Sequence, residues 1–367
     1  MAKFCIVGEA WGEQEALLCH PFVGPSGVEL LRMLDDSGLM PLTDYDKAMI
    51  EEYWKDRNPV YTQMVWAEHP EAFLTNVFNL RPEKNDVESL CTGKAGVTHN
   101  LGAIRQGKYI RDEYLGEVER LRGELKSNPT NLILALGNSA TWALLGVGGI
   151  SKIRGTVTSS EFTGAYRKVL PVLHPAAILR QWELRAVTVL DLKKAAREIA
   201  YPEVRRPQRT VYIEPTLEDL EVYYDRELAG ASIISFDIET AAHQITCIGF
   251  APSERSALVV PFTDQRRDGG SYWPTAAEEL SAWNFVRRVL DHPAPKVGQN
   301  LLYDLHFLWR GYGITARNVE HDTMLLHHSL QPESPKGLGF LGSVYTNEAS
   351  WKLMRDRGKK TLKREDT

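Results

Sequence analysis

Hydrophobic positions along the first 200 residues fall into two rhythms. Short apolar runs at Phe4–Val7, Phe73–Val77, Leu132–Leu136 and Val169–Leu173 predict buried strands. Between them, apolar residues recur at helical spacing over Gly27–Asp36, Tyr109–Lys126, Ser139–Leu145 and Leu184–Ala200. The alternation predicts an α/β domain with a largely parallel sheet. The segment Met40–Pro70, rich in aromatic and acidic residues, interrupts it and reads as an insertion without an assignable role.

From Tyr201 to Arg209 two prolines and three arginines replace any periodicity, the mark of a linker. A second α/β unit follows, with strands expected at Thr210–Ile213, Ile233–Glu239, Thr246–Phe250 and Ala257–Val260 and helices dominating from Ala276 to Tyr345. The expected domains are therefore residues 1–200 and 210–367, joined by 201–209. The basic tail from Lys352 has little apolar content and is expected to be exposed or unfinished.

Composition narrows the class. The chain has 367 residues, 43% hydrophobic and 25% charged, which suits a soluble globular protein of two domains. It has no apolar run long enough to span a membrane and no cleavable signal architecture. Four scattered cysteines, Cys5, Cys19, Cys91 and Cys247, lack CxxC spacing, so a reducing, cytoplasmic setting is expected, without disulfides or a zinc site. The net charge of −5 does not decide the question: a sequence-independent DNA coat is usually strongly basic, but an enzyme that gathers carboxylates around metal ions need not be. Motifs must decide.

The apolar run Ile233–Phe236 leads into Asp237, Ile238, Glu239 and Thr240. Strand side chains alternate, so Asp237 and Glu239 share a face, where two anions repel unless cations neutralise them. Farther on, Val297-Gly-Gln-Asn-Leu-Leu-Tyr-Asp304 turns from strand into helix and sets Asn300 and Asp304 one turn apart. Oxygen ligands of this kind suit Mg²⁺ or Mn²⁺. The two segments resemble the first two motifs of the DEDD exonuclease superfamily, closest to the proofreading domain of family A DNA polymerases. His321–Leu325 and Leu338–Tyr345 extend the likeness. The resemblance implies a ribonuclease H-like domain with a mixed sheet, in which Asp237, Glu239 and Asp304 hold two metal ions about 4 Å apart and Asn300 positions the substrate. Asp322 reads instead as a helix N-cap. The family's fourth carboxylate lies in a Tyr-x-x-x-Asp motif, and no tyrosine or histidine after Asp304 has an aspartate at that spacing. The expectation is a chain truncated before that motif.

The first domain carries a second resemblance. Gly8-Glu-Ala-Trp-Gly-Glu-Gln-Glu15 and His20-Pro-Phe-Val-Gly24 are similar to the first motif of the uracil-DNA glycosylase superfamily. Thr75–Pro82, Leu136-Gly137, Ile150–Gly155 and His174-Pro-Ala176 follow in family order. The resemblance implies a three-layer α/β domain with a parallel sheet. In its pocket Phe22 would stack on a flipped base, Asn76 would read the base edge, His174 would stabilise charge on the departing base and Glu9 would orient water. Ile178 and Leu179 would wedge into the duplex. The chain departs from the family at Trp11, which replaces a proline, at Ala16, where an acid is common, and at His20, which replaces an arginine. Cysteine ligands for the iron–sulfur cluster of the most similar branch are missing, so no cluster is expected.

Together the resemblances imply DNA as substrate: single-stranded 3′ ends for the second domain, a duplex with a flipped base for the first. They suggest the N-terminal portion of a phage-type DNA polymerase, with a polymerase domain or subunit as partner. Two alternatives stay open, a stand-alone glycosylase-type repair enzyme with a vestigial exonuclease half and a non-catalytic DNA-binding adaptor. An active and a degenerate glycosylase pocket are equally compatible with the sequence.

Overall fold

The computed structural model describes residues 2–348 and divides into two compact units. Among the described residues, the first comprises 2–205 together with 339–348; the second is Arg206–Leu338.

The strands of the first unit are β1 (Phe4–Ala10), β2 (Ala72–Phe78), β3 (Cys91–Thr92), β4 (Tyr109–Ile110), β5 (Leu132–Leu136), β6 (Thr158–Ser160) and β7 (Arg167–Val172). Its helices up to the linker are α1 (Glu13–Leu18), α2 (Pro25–Ser37), α3 (Asp44–Asp56), α4 (Pro59–Ala67), α5 (Leu115–Ser127), α6 (Gly137–Leu145), α7 (Ile150–Ile153), α8 (Pro175–Arg180) and α9 (Arg185–Glu198). The main sheet runs β2-β1-β5-β7-β6, parallel except for the β6 edge. All four predicted strands are in it. Leu132–Leu136 is buried at every position, as a strand covered on both faces must be. One apolar core, with Phe4, Ile6, Leu134 and Leu170, lies on one side of the sheet; a second, with Cys5, Val7, Ile133 and Val169, lies on the other.

The insertion proves ordered. Thr43 caps α3 in a reciprocal box with Asp46, Asn58 caps α4, and Ile50, Tyr53, Val65 and Trp66 are buried. Proximity in sequence to polar residues hid these helices, whose buried positions are few. The predicted helix from Tyr109 begins instead at Leu115, because Tyr109–Ile110 pairs with Cys91–Thr92.

The second unit has β8 (Thr210–Tyr212), β9 (Ile234–Ala241), β10 (Gln244–Ser253), β11 (Ser256–Pro261), β12 (Lys296–Gly298) and β13 (Val319–Asp322) in the order β13-β12-β9-β10-β11-β8. Antiparallel β9–β10–β11 and parallel β12–β9, β12–β13 and β11–β8 pairs make the sheet mixed. Helices α10 (Leu217–Tyr223), α11 (Ala276–Asp291), α12 (Leu301–Tyr312) and α13 (Thr323–Leu330) accompany it. The next helix, α14 (Leu338–Tyr345), reads in sequence as part of the second domain, but Phe340 and Val344 pack into the core of the first unit. The tail from Lys352 lies outside the described residues. Among those described, no helix is long and apolar enough to cross a membrane.

Candidate functional sites

In the first unit the chain runs outward from β1 to β2 on one side and to β5 on the other. Loops after parallel strands diverge at such a switch point and leave a crevice at the strands' C-terminal ends. A cleft of about 610 Å³ occurs there. Glu9 reaches it from the end of β1, Asn76 from β2, Gly137 and Asn138 from the start of α6, and His174 from the turn after β7. Phe22 closes one wall. All four residues singled out in this half of the sequence therefore meet in one cavity.

The backbone explains the assembly. Gly8 pairs with Asn76 across the β1–β2 ladder, and a Cβ at Gly8 would lie 2.1 Å from Asn76 Oδ1 and 2.6 Å from the Phe22 ring. Glycine is what lets amide and ring converge. Phe22 has a positive φ of 59°, unusual for a residue with a side chain. Its carbonyl accepts from Trp66 Nε1 at 2.8 Å and rests on Gly27, where a Cβ would be 1.7 Å away. The opposite loop is held by the insertion as well: Tyr53 Oη donates to Gln14 Oε1, and Gln14 Nε2 donates to the carbonyl of Arg57. Glu15 Oε1 accepts from Gly24 N at 2.8 Å, tying the two sides of the loop together.

Asn76 is only 2% exposed, and among the described residues its side-chain amide has no hydrogen-bond partner, whereas its carbonyl accepts from Arg120 at 2.8 Å. A buried amide with spare donors and acceptor, facing a cavity, is a recognition element. Ser139 donates to Glu9 Oε2. Ser139 is a site residue that the sequence reading missed, and its only signal was proximity to Leu136-Gly137. His174 Nδ1 accepts from the backbone N–H of Ala176 at 3.2 Å, so the neutral ring carries its proton on Nε2. Burial pushes its pKa below the ordinary histidine range, against the pull of the Glu9 carboxylate. Trp11 lines the cleft, and among the described residues its buried indole N–H has no hydrogen-bond partner. The predicted wedge is corrected at one position: Ile178 is fully buried in the core, because it sits on the inner face of α8, while Leu179 is 43% exposed.

In the second unit, β9 alternates as expected, with Ile234, Phe236 and Ile238 buried and Asp237 and Glu239 outward. Asn300 adopts the left-handed conformation and starts α12, and Asp304, one turn on, is 3% exposed. Asp304 Oδ1 accepts from the N–H of Ile238 at 2.9 Å, which puts its carboxylate between Asp237 and Glu239 along the strand. Asp322 caps α13 through Met324 N, as the sequence indicates, and also accepts from Asn300 N and Leu301 N at 3.0 and 2.8 Å. It thereby fixes the turn that aims α12. Tyr303 shares a hydrogen bond with Thr240, and Asn300 is exposed beside Tyr303 and His306 in a surface depression.

The carboxylates are electrostatically uneasy. Burial, then Asp237, pushes Asp304 up to about 6; burial, then Glu239, raises Asp237. Among the described residues none of the three pairs with a lysine, arginine or histidine. They also do not close into a coordination sphere: no group of three or more His, Cys, Asp or Glu side chains there is arranged to hold a metal ion. An uncompensated all-oxygen donor set of this kind nevertheless fits a hard divalent cation.

Comparison with known proteins finds a family for each half of the chain. Residues 1–202 match the Uracil DNA glycosylase superfamily, and residues 212–365 match a 3′–5′ exonuclease family. A type-4 uracil-DNA glycosylase from Archaeoglobus fulgidus is 28% identical over 202 residues, covering 53% of this chain and 75% of that protein. Among solved structures, Trypanosoma brucei RNase D in complex with GMP is similar with a TM-score of 0.30 and 13% identity, over 38% of this chain and 43% of that one. Brucella melitensis NrnC with bound Mg²⁺ gives 0.26 and 14%, over 40% and 64%. The chain thus spans less than two thirds of either solved relative. It belongs to the Uracil DNA glycosylase superfamily, with a 3′–5′ exonuclease domain following.

Proposed function

We propose that this member of the Uracil DNA glycosylase superfamily is a DNA-processing protein that holds an extruded nucleobase in its first unit and trims 3′ ends in its second. The observation that carries the nuclease half is Asp304 hydrogen-bonded to the strand between Asp237 and Glu239. Asp237, Glu239 and Asp304 would hold Mg²⁺ or Mn²⁺. When bound, such an ion lowers the pKa of water and offsets charge on the leaving 3′ oxygen. The chain's own part is positional: Asp322 fixes the start of α12, Ile238 N–H fixes Asp304, and Asn300 stands exposed where a strand end would pass.

In the cleft, the Phe22 ring would stack on the base and the free amide of Asn76 would pair with its edge. His174, its Nδ1 already engaged, would present Nε2–H to the charge that grows on a departing base. Glu9, held by Ser139, would orient water. A second reading is favoured by Trp11, whose bulky indole lines the cleft where the family carries a proline: the cleft then binds the base without releasing it. Incubating a uracil-containing oligonucleotide, then cleaving abasic sites with alkali, separates the two.

We infer further that the setting is replication, with the exonuclease domain proofreading for a polymerase domain or subunit in the cytoplasm. This rests on the resemblance of the Asp237 and Asp304 motifs to polymerase proofreading domains. The nuclease reading is tested by degradation of a 5′-labelled single strand in Mn²⁺. A ladder shortening from the 3′ end that disappears with Asp237→Ala supports it, and cleavage unaffected by that substitution overturns it.

A further inference from the structure

The chain leaves the first unit near Tyr201 and re-enters it after Leu338, and both crossings are fastened at one buried carboxylate. Glu198, 2% exposed, pairs with Lys168 at 3.0 Å and accepts from Tyr201 Oη at 2.8 Å. Lys168 also donates to the carbonyls of Tyr201 and Glu203. On the returning segment, Asn347 Nδ2 donates to Glu198 Oε1 at 2.8 Å.

That segment lies in a site built for it. Phe340 and Val344 enter the core of the first unit, with the Arg154 guanidinium over the Phe340 ring at 5.3 Å. Lys194, 1% exposed, donates to the carbonyls of Ser343 and Thr346 and to that of Gly155. The last carbonyls of a helix are orphan acceptors at its negative end, and a buried ammonium is their complement. Arg154 donates to Ser343 Oγ at 3.0 Å while its fork pairs with the fully buried Asp191. Gly155 has a φ of 71°, and a Cβ there would lie 2.8 Å from the Ser343 carbonyl. If the segment left, Lys194 would keep the Gly155 carbonyl as its one remaining acceptor among those named, and a buried charge that loses its partners is strongly destabilising.

We propose that residues 339–347 are a clasp: the first unit carries a docking groove, lined by Arg154, Gly155, Asp191, Lys194 and Glu198, whose ligand is this segment. The exonuclease domain is then tied to the first unit at both ends and not by the linker alone. The groove recognises a short helix through its apolar face and its C-terminal carbonyls, so the segment binds even when the covalent connection is cut.

The test uses the full chain with a protease site placed in the exposed loop between Gln331 and Gly337. After cleavage, gel filtration at micromolar concentration should show the C-terminal fragment eluting with the rest of the protein. Val344→Asp, which changes only the ligand, should release it, and so should Lys194→Met, which changes only the groove; circular dichroism of the uncut chains verifies folding. A fragment that leaves the cleaved wild-type protein overturns the proposal, as does one retained by the Val344→Asp chain. Should Lys194→Met fail to fold, the wild-type and Val344→Asp results decide alone.

Discussion

Asp304 accepts a hydrogen bond from the backbone N–H of Ile238 at 2.9 Å, so a helix carboxylate sits on a strand that already presents two others. Among the described residues, no lysine, arginine or histidine pairs with that charge. The arrangement costs stability in the free protein, and such a cost is tolerated where a ligand removes it.

Asn76 gives the sharpest test of the cleft. Asn76→Ala should reduce binding of a uracil-containing single strand at least tenfold, about 1.4 kcal/mol, while affinity for the same strand with an abasic site in place of the uracil changes little. Gly8→Ala should do the same from the opposite strand, since its methyl group would displace the amide and the Phe22 ring. Fluorescence anisotropy with both strands reads this out. Equal losses for the uracil and abasic strands would mean that the substitutions merely damage the fold.

His174 predicts a pH dependence. Its folded pKa is depressed, so its contribution to stability is present above its unfolded value, near 6.5, and is lost as pH falls through the folded value. Wild-type protein should lose melting temperature on acidification below about 6.5, and His174→Gln should flatten that part of the curve. Identical profiles would show that the ring titrates freely.

The cofactor prediction is spectroscopic. Of the four cysteines only Cys5, Cys19 and Cys91 fall in the first unit, one short of the four thiolates a cluster takes. Anaerobically purified protein should be colourless, without thiolate–iron absorbance near roughly 400 nm. Stoichiometric iron and sulfide would contradict this.

Much of this was legible in the sequence because period and chemistry coincided. The β9 alternation announced both the strand and its two exposed acids, and Asp322 could be read as a cap from its place before Thr323. Glu9, Phe22, Asn76 and His174 could be proposed together but not shown to touch, since long-range packing brings them into one cleft. Contacts fixed only by tertiary structure stayed hidden. Trp66 looked like part of an unassigned insertion until it proved to hold the Phe22 carbonyl. Ile178 looked like a wedge because burial on the inner face of a six-residue helix leaves no periodic signal. The role of α14 was hidden for the same reason, its partners Arg154 and Lys194 being more than a hundred residues away.

Divalent-cation binding tests the central claim most directly. Titrated with Mn²⁺ or Mg²⁺, the protein should gain thermal stability, by about 2.7 kcal/mol at a hundredfold excess over the dissociation constant. Asp237→Ala combined with Asp304→Ala should erase most of that gain while raising the stability of the metal-free protein, because it removes unbalanced carboxylates. Stabilisation by Mn²⁺ that survives the double substitution, or no stabilisation of the wild-type protein, would contradict the exonuclease assignment.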